Sequence, residues 1–131
     1  MSIIEICRGR WGAVVFAVLK DGSSPGKDFF SGLDVRDQTK LLALFRLFAD
    51  SGKIMNREKF KKIDSDLFEF KSFQIRMFCL IESGRVVITH GAIKKRDDLS
   101  KSDIQRAERI KIEYKEQSTL TTSKPPQKRK Q

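Results

Sequence analysis

Cysteine, histidine and proline are scarce in this chain of 131 residues, and each scarcity closes a class of protein. Its two cysteines, Cys7 and Cys79, form no Cys-x-x-Cys pair, and there is a single histidine. Neither a disulfide scaffold nor a zinc site can be assembled from that set. Two isolated thiols in apolar surroundings read as small core residues of a reducing compartment, so the expected location is cytoplasmic. Eight glycines and three prolines exclude a collagen-like chain, and no internal repeat is visible. Long apolar runs are missing too. The stretch that most resembles one, Trp11 to Leu19 behind Arg8 and Arg10, spans nine residues and stops at Lys20-Asp21 without a small-residue cleavage pattern. Nine residues cannot cross a bilayer, so no membrane role is expected and the stretch reads as a buried strand.

What the chain has in excess is positive charge. Lys and Arg number 27 against 17 Asp and Glu, a formal net charge of +10, which makes a polyanion the first partner to consider. One domain of this length buries roughly two-thirds of its unfolded surface, enough for a core without staples. The apolar pattern stops after Glu116, and residues 117–131 read as a disordered basic tail containing Pro125-Pro126 and Lys128-Arg-Lys130. Four of the ten net charges sit on that tail, so the domain expected over residues 1–116 is basic in its own right.

Along the domain, Val14 to Leu19 is continuously apolar and β-branched, the pattern of a strand buried on both faces. Asp21 to Gly26 is a turn cluster, and Phe29-Phe30 to Leu33 supplies one or two helical turns. Asp34 is a good N-cap, and Leu41, Leu44, Phe45 and Phe48 keep helical spacing up to the stop at Gly52. Residues 56–66 are polar and basic, anchored by Phe60 and Ile63. Three β-rich runs follow over 67–71, 74–81 and 85–93, with Glu82-Ser-Gly84 as a hairpin turn, and together they read as an antiparallel meander. Ser100 with Asp103 resembles a capping box opening a last helix, which carries Ile104, Ala107, Ile110 and Tyr114 on one face.

Period-2 alternation puts Glu69 and Lys71 on one face of their strand and Phe68 and Phe70 on the other. On the next run Ile75, Met77, Cys79 and Ile81 form the apolar set, which leaves Gln74 and Arg76 on the open face. Lys94-Lys95-Arg96 ends the last strand. Lys71, Arg76 and this run thus converge as a phosphate-binding surface, with Arg76 equally placed to pair with Glu69. Lys61 and Lys62 read as general electrostatic affinity rather than chemistry. His90, mid-strand between Thr89 and Gly91, reads first as a structural histidine and second as an acid or base.

Three segments carry a resemblance: Leu67-Phe-Glu-Phe-Lys71, Gln74-Ile-Arg-Met77, and Val87-Ile-Thr-His-Gly-Ala-Ile-Lys-Lys95. Their Glu-x-Lys … Arg … His-Gly-x-x-Lys-Lys order, with the helical segments on either side, resembles the phage-derived, HigB-like branch of the RelE toxin superfamily over about residues 11–116. Two positions depart from that pattern: Ile75 stands where an aromatic is usual, and Ala92 where Phe is typical. The resemblance implies an α/β (α+β) domain of RelE-like type, with a twisted, mostly antiparallel sheet, two N-terminal helices and a C-terminal helix. It further implies the toxin of a type II toxin–antitoxin pair, cutting mRNA on the ribosome and held inactive by a helix-turn-helix antitoxin. That reaction needs neither metal nor cofactor. The ribose 2′-OH attacks the adjacent phosphate while cations stabilise the phosphorane. The candidate catalytic residues are then Arg76, Lys71, Lys94 and His90, and the candidate RNA-binding residues Lys61, Lys62, Lys95 and Arg96.

Two other classes compete. A non-catalytic RNA binder of KH-like topology would use a Gly-x-x-Gly loop between helices, but Gly9-Arg-Trp-Gly12 precedes the first expected strand. A metal-dependent nuclease would use Glu69-Phe-Lys71 with a further carboxylate, for which Asp64 and Asp66 are nearest in sequence.

Overall fold

The computed structural model describes residues 3–94 and 101–123. Along the chain the elements are β1 (Ile3–Arg8), β2 (Ala13–Ala17), α1 (Pro25–Ser31), α2 (Val35–Ser51), β3 (Phe60–Asp64), β4 (Leu67–Ser72), β5 (Ile75–Glu82), β6 (Arg85–Ile93) and α3 (Lys101–Ser123). The six strands form one sheet in the order β1-β2-β6-β5-β4-β3, and only the β2–β6 pair is parallel. This α+β arrangement is consistent with the RelE-like fold expected from the sequence. No helix among the described residues is long and apolar enough to cross a membrane.

Strand β2 explains the three layers. Val14 and Phe16 pack on one side against Leu41, Phe45 and Phe48 of α2. Ala13, Val15 and Ala17 pack on the other against Ile110 and Tyr114 of α3. A strand covered on both faces has no polar position, hence the unbroken apolar run.

Helix α2 is delimited by its own residues. The Asp34 carboxylate accepts from the Asp37 backbone N–H at 2.9 Å, and Gly52 closes the helix at φ 75° by donating to the Phe48 carbonyl at 2.7 Å. Its buried face meets an aromatic cluster, with Phe45 5.0 Å from Phe70 and Phe48 4.9 Å from Phe60 between ring centroids. Aromatic pairs at these separations add to the burial of their area.

Four elements differ from expectation. Strand β1 was not anticipated, and the basic stretch over 56–66 contains strand β3. Both carry a register shift, between Glu5 and Cys7 in β1 and between Lys62 and Asp64 in β3, which breaks the period-2 signal. Phe60 joins the α2-side core while Ile63 packs on the α3 side, a strand feature that helical spacing would misread. Helix α1 starts earlier than Phe29 because Pro25 occupies its first turn. Helix α3 continues through Ser123, seven residues past the expected end at Glu116, and the Gln117 amide donates to the Val18 carbonyl at 2.8 Å. The proposed cap Ser100 and the tail beyond Ser123 lie outside the described residues.

Candidate nucleic-acid site on the helix α3 face

The register of β4, β5 and β6 assembles the site. Lys71 pairs with Arg76, Arg76 with Ala92, Glu69 with Phe78, and Phe78 with His90. Leu67 and Phe78 pack against Ala107 of α3, so Glu69, Lys71, Arg76, His90 and Ala92 share the α3 side of the sheet. Ile75, Met77 and Cys79 belong to the opposite core. Alternation therefore assigned the two faces of β4 and β5 correctly. His90 needs one more device. The register shifts between Phe78 and Cys79, where Cys79 pairs with Ile88 and Phe78 with His90, leaving Thr89 as an extra residue. That bulge turns His90 toward α3. The Thr89 hydroxyl holds it by donating to the Phe78 carbonyl at 3.2 Å.

The face is not open, contrary to expectation. Glu69 is 3% exposed, Arg76 6% and Lys71 8%. Arg76 Nη1 donates to the carbonyls of Phe73 at 2.6 Å and Ile75 at 3.1 Å. Its Nε lies 3.9 Å from Glu69 Oε2, and Lys61 Nζ reaches the same oxygen at 3.8 Å. Glu69 is thus a buried carboxylate flanked by two cations, the arrangement that offsets the cost of removing charge from water. Arg76 thus pairs with Glu69, and the register sets it beside Lys71.

A second group closes the site from α3. Asp103, in the first turn of that helix, contacts the Lys94 ammonium and lies 3.5 Å from His90 Nε2. Burial works to raise the Asp103 carboxyl, but Lys94 and His90 outweigh it and hold it below its ordinary value. His90 is fully buried and stacks on Phe78 at 4.7 Å, with Nδ1 3.3 Å from the Thr89 hydroxyl. Burial first, then the positive charge of Arg106, depress its pKa to about 4 against the pull of Asp103. At neutral pH the ring is uncharged.

The fold therefore brings together Lys61, Lys71, Arg76, His90 and Lys94. It separates Lys62, which pairs with Phe68 and lies exposed on the other face of the edge strand. Lys95 and Arg96 lie outside the described residues. Asp103 was read only as a cap, and its role as the partner of Lys94 had no local sequence signal. Neither rival class gains from the geometry. The Gly9–Gly12 loop joins two strands and docks on α2, with Trp11 and Gly12 N–H both donating to the Ala49 carbonyl. The Asp66 carboxylate accepts from Lys111 of α3 at 3.0 Å to each oxygen, and no three His, Cys, Asp or Glu side chains cluster among the described residues.

No curated protein matches the chain. The family model described as phage-derived protein Gp49-like matches residues 28–111, from α1 to α3 and across every strand that builds the site. That match covers more than half of the chain, which therefore belongs to the phage-derived Gp49-like family.

Proposed function

We propose that this Gp49-like protein is the toxin of a HigB-like toxin–antitoxin pair, a cytoplasmic, metal-independent endoribonuclease acting on ribosome-bound mRNA. The observation that carries the reading is that the register of β4, β5 and β6 puts Lys71, Arg76 and, just past the end of β6, Lys94 on one face of the sheet. Two strand spacings, roughly 10 Å, span the group, which is the reach of one phosphodiester and its neighbours.

In this reading the ribose 2′-OH attacks the neighbouring phosphorus and gives its proton to solvent water, and the 5′-oxygen of the next nucleotide leaves carrying a proton supplied by Lys94. Arg76 exchanges its carbonyl acceptors for phosphate oxygens, trading neutral hydrogen bonds for stronger charge-assisted ones as the phosphorane forms. Lys71 adds charge from the next strand. Lys94, held by Asp103, is the candidate proton donor to the leaving oxygen. Neutral, buried His90 fixes the Phe78 and Asp103 surroundings instead of carrying a proton. The departure at Ile75 falls in the opposite core, whereas Ala92 stands directly across from Arg76.

The reading is tested by inducing the gene alone and then with its neighbour, which on this view encodes a helix-turn-helix antitoxin. Growth arrest relieved by the neighbour supports it. In vitro, cleavage must persist in excess EDTA on an RNA target and leave 2′,3′-cyclic phosphate ends. Activity lost to chelation and restored by a divalent ion would favour a metal site at Glu69 and Lys71 instead.

A further inference from the structure

The tip of the β4–β5 hairpin carries an exposed aromatic ring in an unfavourable backbone conformation. Phe73 has φ 56°, the single positive value outside glycine among the described residues, and its side chain is 73% exposed. A non-glycine residue in the left-handed region is strained, and an exposed phenyl ring gains little from burial in return. The strain is held in place by the site itself. The Phe73 carbonyl accepts from Arg76 Nη1 at 2.6 Å, and the carbonyl of the next residue, Gln74, accepts from the Lys94 backbone N–H at 2.6 Å. One two-residue tip thus touches both ends of the basic cluster. The Lys40 ammonium lies 4.1 Å from the centroid of the Phe73 ring. Beside it runs an open groove of about 410 Å³ lined by Leu33, Asp37, Phe73, Gln74, Ile75 and Ile93.

We propose that Phe73 is a stacking platform for an unpaired base of single-stranded RNA, seated in this groove on the α2 side of the hairpin tip, with the strand passing over the sheet end toward Arg76 on the α3 side. This deepens the reading given above and rests on it. An exposed ring with a cation over one face suits a nucleotide: the base stacks on the other face while a neighbouring phosphate meets the ammonium. The Asp37 carboxylate and the Gln74 amide, both on the groove wall, supply polar groups for a base edge. Stacking is tolerant of sequence because every base has a π-face, so Phe73 provides affinity and placement rather than identity. An apolar protein segment would use Ile93 and Leu33 in the same groove, but it has no use for Lys40 over the ring. The surplus of positive charge on the chain points the same way.

The test uses the full chain and a single-stranded 2′-O-methyl oligonucleotide carrying 2-aminopurine, which cannot be cut because its nucleophile is blocked. Binding and base stacking are then read without any dependence on catalysis. Wild type and Phe73→Trp should bind and quench the 2-aminopurine. Phe73→Leu, which keeps apolar bulk but not the aromatic face, and Phe73→Ala should lose about tenfold or more in affinity and most of the quenching. Phe73→Asn, suited to the left-handed region, should stay folded and show the same loss, so unfolding is not the cause. A Phe73→Leu protein that binds and quenches like wild type would overturn the proposal. So would loss of antitoxin binding by Phe73→Leu with RNA binding intact, which would make the groove a protein-docking surface. Failure of the cleavage reading has a separate signature: no RNA cut by wild type, with the Phe73-dependent quenching still present.

Discussion

Ile88 and His90 are two residues apart on strand β6 and face opposite sides of the sheet, because Thr89 bulges between them. Ile88 goes to the α2 core, and His90 goes to the α3 face beside Asp103. A regular strand would have driven an imidazole into the aromatic core. The bulge instead gives it Phe78 to stack on and a hydroxyl at its Nδ1.

That placement has a pH consequence. The pKa of His90 in the fold, about 4, lies below its ordinary value of 6.5, so the unfolded chain binds the extra proton first. Stability should therefore fall as pH drops from 6.5 toward 4, by on the order of 2–3 kcal/mol in total. Asp103 acts in the opposite part of the scale, since its lowered pKa costs stability only below the ordinary carboxylate range. Denaturant titrations at pH 7, 6, 5 and 4.5 on wild type and His90→Gln read the effect. The variant should be less stable at pH 7 but show a flatter slope, and an unchanged slope would mean that His90 does not titrate in this window.

Arg76 has two roles that a double variant separates. Arg76→Ala leaves the buried Glu69 carboxylate with one cation fewer, at a cost of about 3 kcal/mol. Adding Glu69→Gln should recover part of that stability. It should not recover cleavage, which is expected to stay about 10²-fold or more below wild type with RNA binding little changed. Single-turnover kinetics at saturating substrate, beside thermal melts of both proteins, provide the comparison. A double variant that regains cutting would make Arg76 a structural partner of Glu69 alone.

The basic tail is expected to act at long range only. Deleting residues 124–131 keeps all of α3 and removes Lys124, Lys128, Arg129 and Lys130. RNA affinity should fall and depend less steeply on salt, with the single-turnover rate at saturation unchanged. A matched loss in that rate would place the tail in the chemistry.

Gly12 should be intolerant of any side chain. A Cβ at this position would lie 2.1 Å from the Gly84 carbonyl oxygen, a backbone atom that cannot swing aside. Gly12→Ala is therefore expected to cost about 2 kcal/mol or more, as other overpacked sites do. Arg10→Ala, on the exposed part of the same loop, should leave RNA affinity nearly unchanged. The opposite pattern, a stable Gly12→Ala with weak binding of RNA by Arg10→Ala, would revive a nucleic-acid grip at this loop.

How far the chain could be read beforehand varied with how local each signal was. Helix α2 was legible because Asp34, Gly52 and the Leu41–Phe48 spacing all sit within the element. Strand β2 was legible because burial on both faces leaves an unbroken apolar run. Alternation placed Arg76 and Met77 on their respective faces, and it correctly grouped Glu69 with Lys71. Strands β1 and β3 were missed because a bulge in each scrambles the period. The open face was misjudged because nothing local to β4 and β5 announces that α3 and the Glu69 pairings shield their cations. The Lys94–Asp103 contact joins a strand end to a distant helix, so only the fold brings it into view.

On the proposed function this basic face cuts RNA without a metal. The most direct measurement maps RNA ends in cells expressing soluble wild-type protein and, separately, soluble Arg76→Ala. Wild type should produce new 2′,3′-cyclic phosphate ends and matching 5′-hydroxyl ends within translated regions, almost absent for Arg76→Ala. Strong expression of soluble wild type with no new ends and no growth arrest would contradict it.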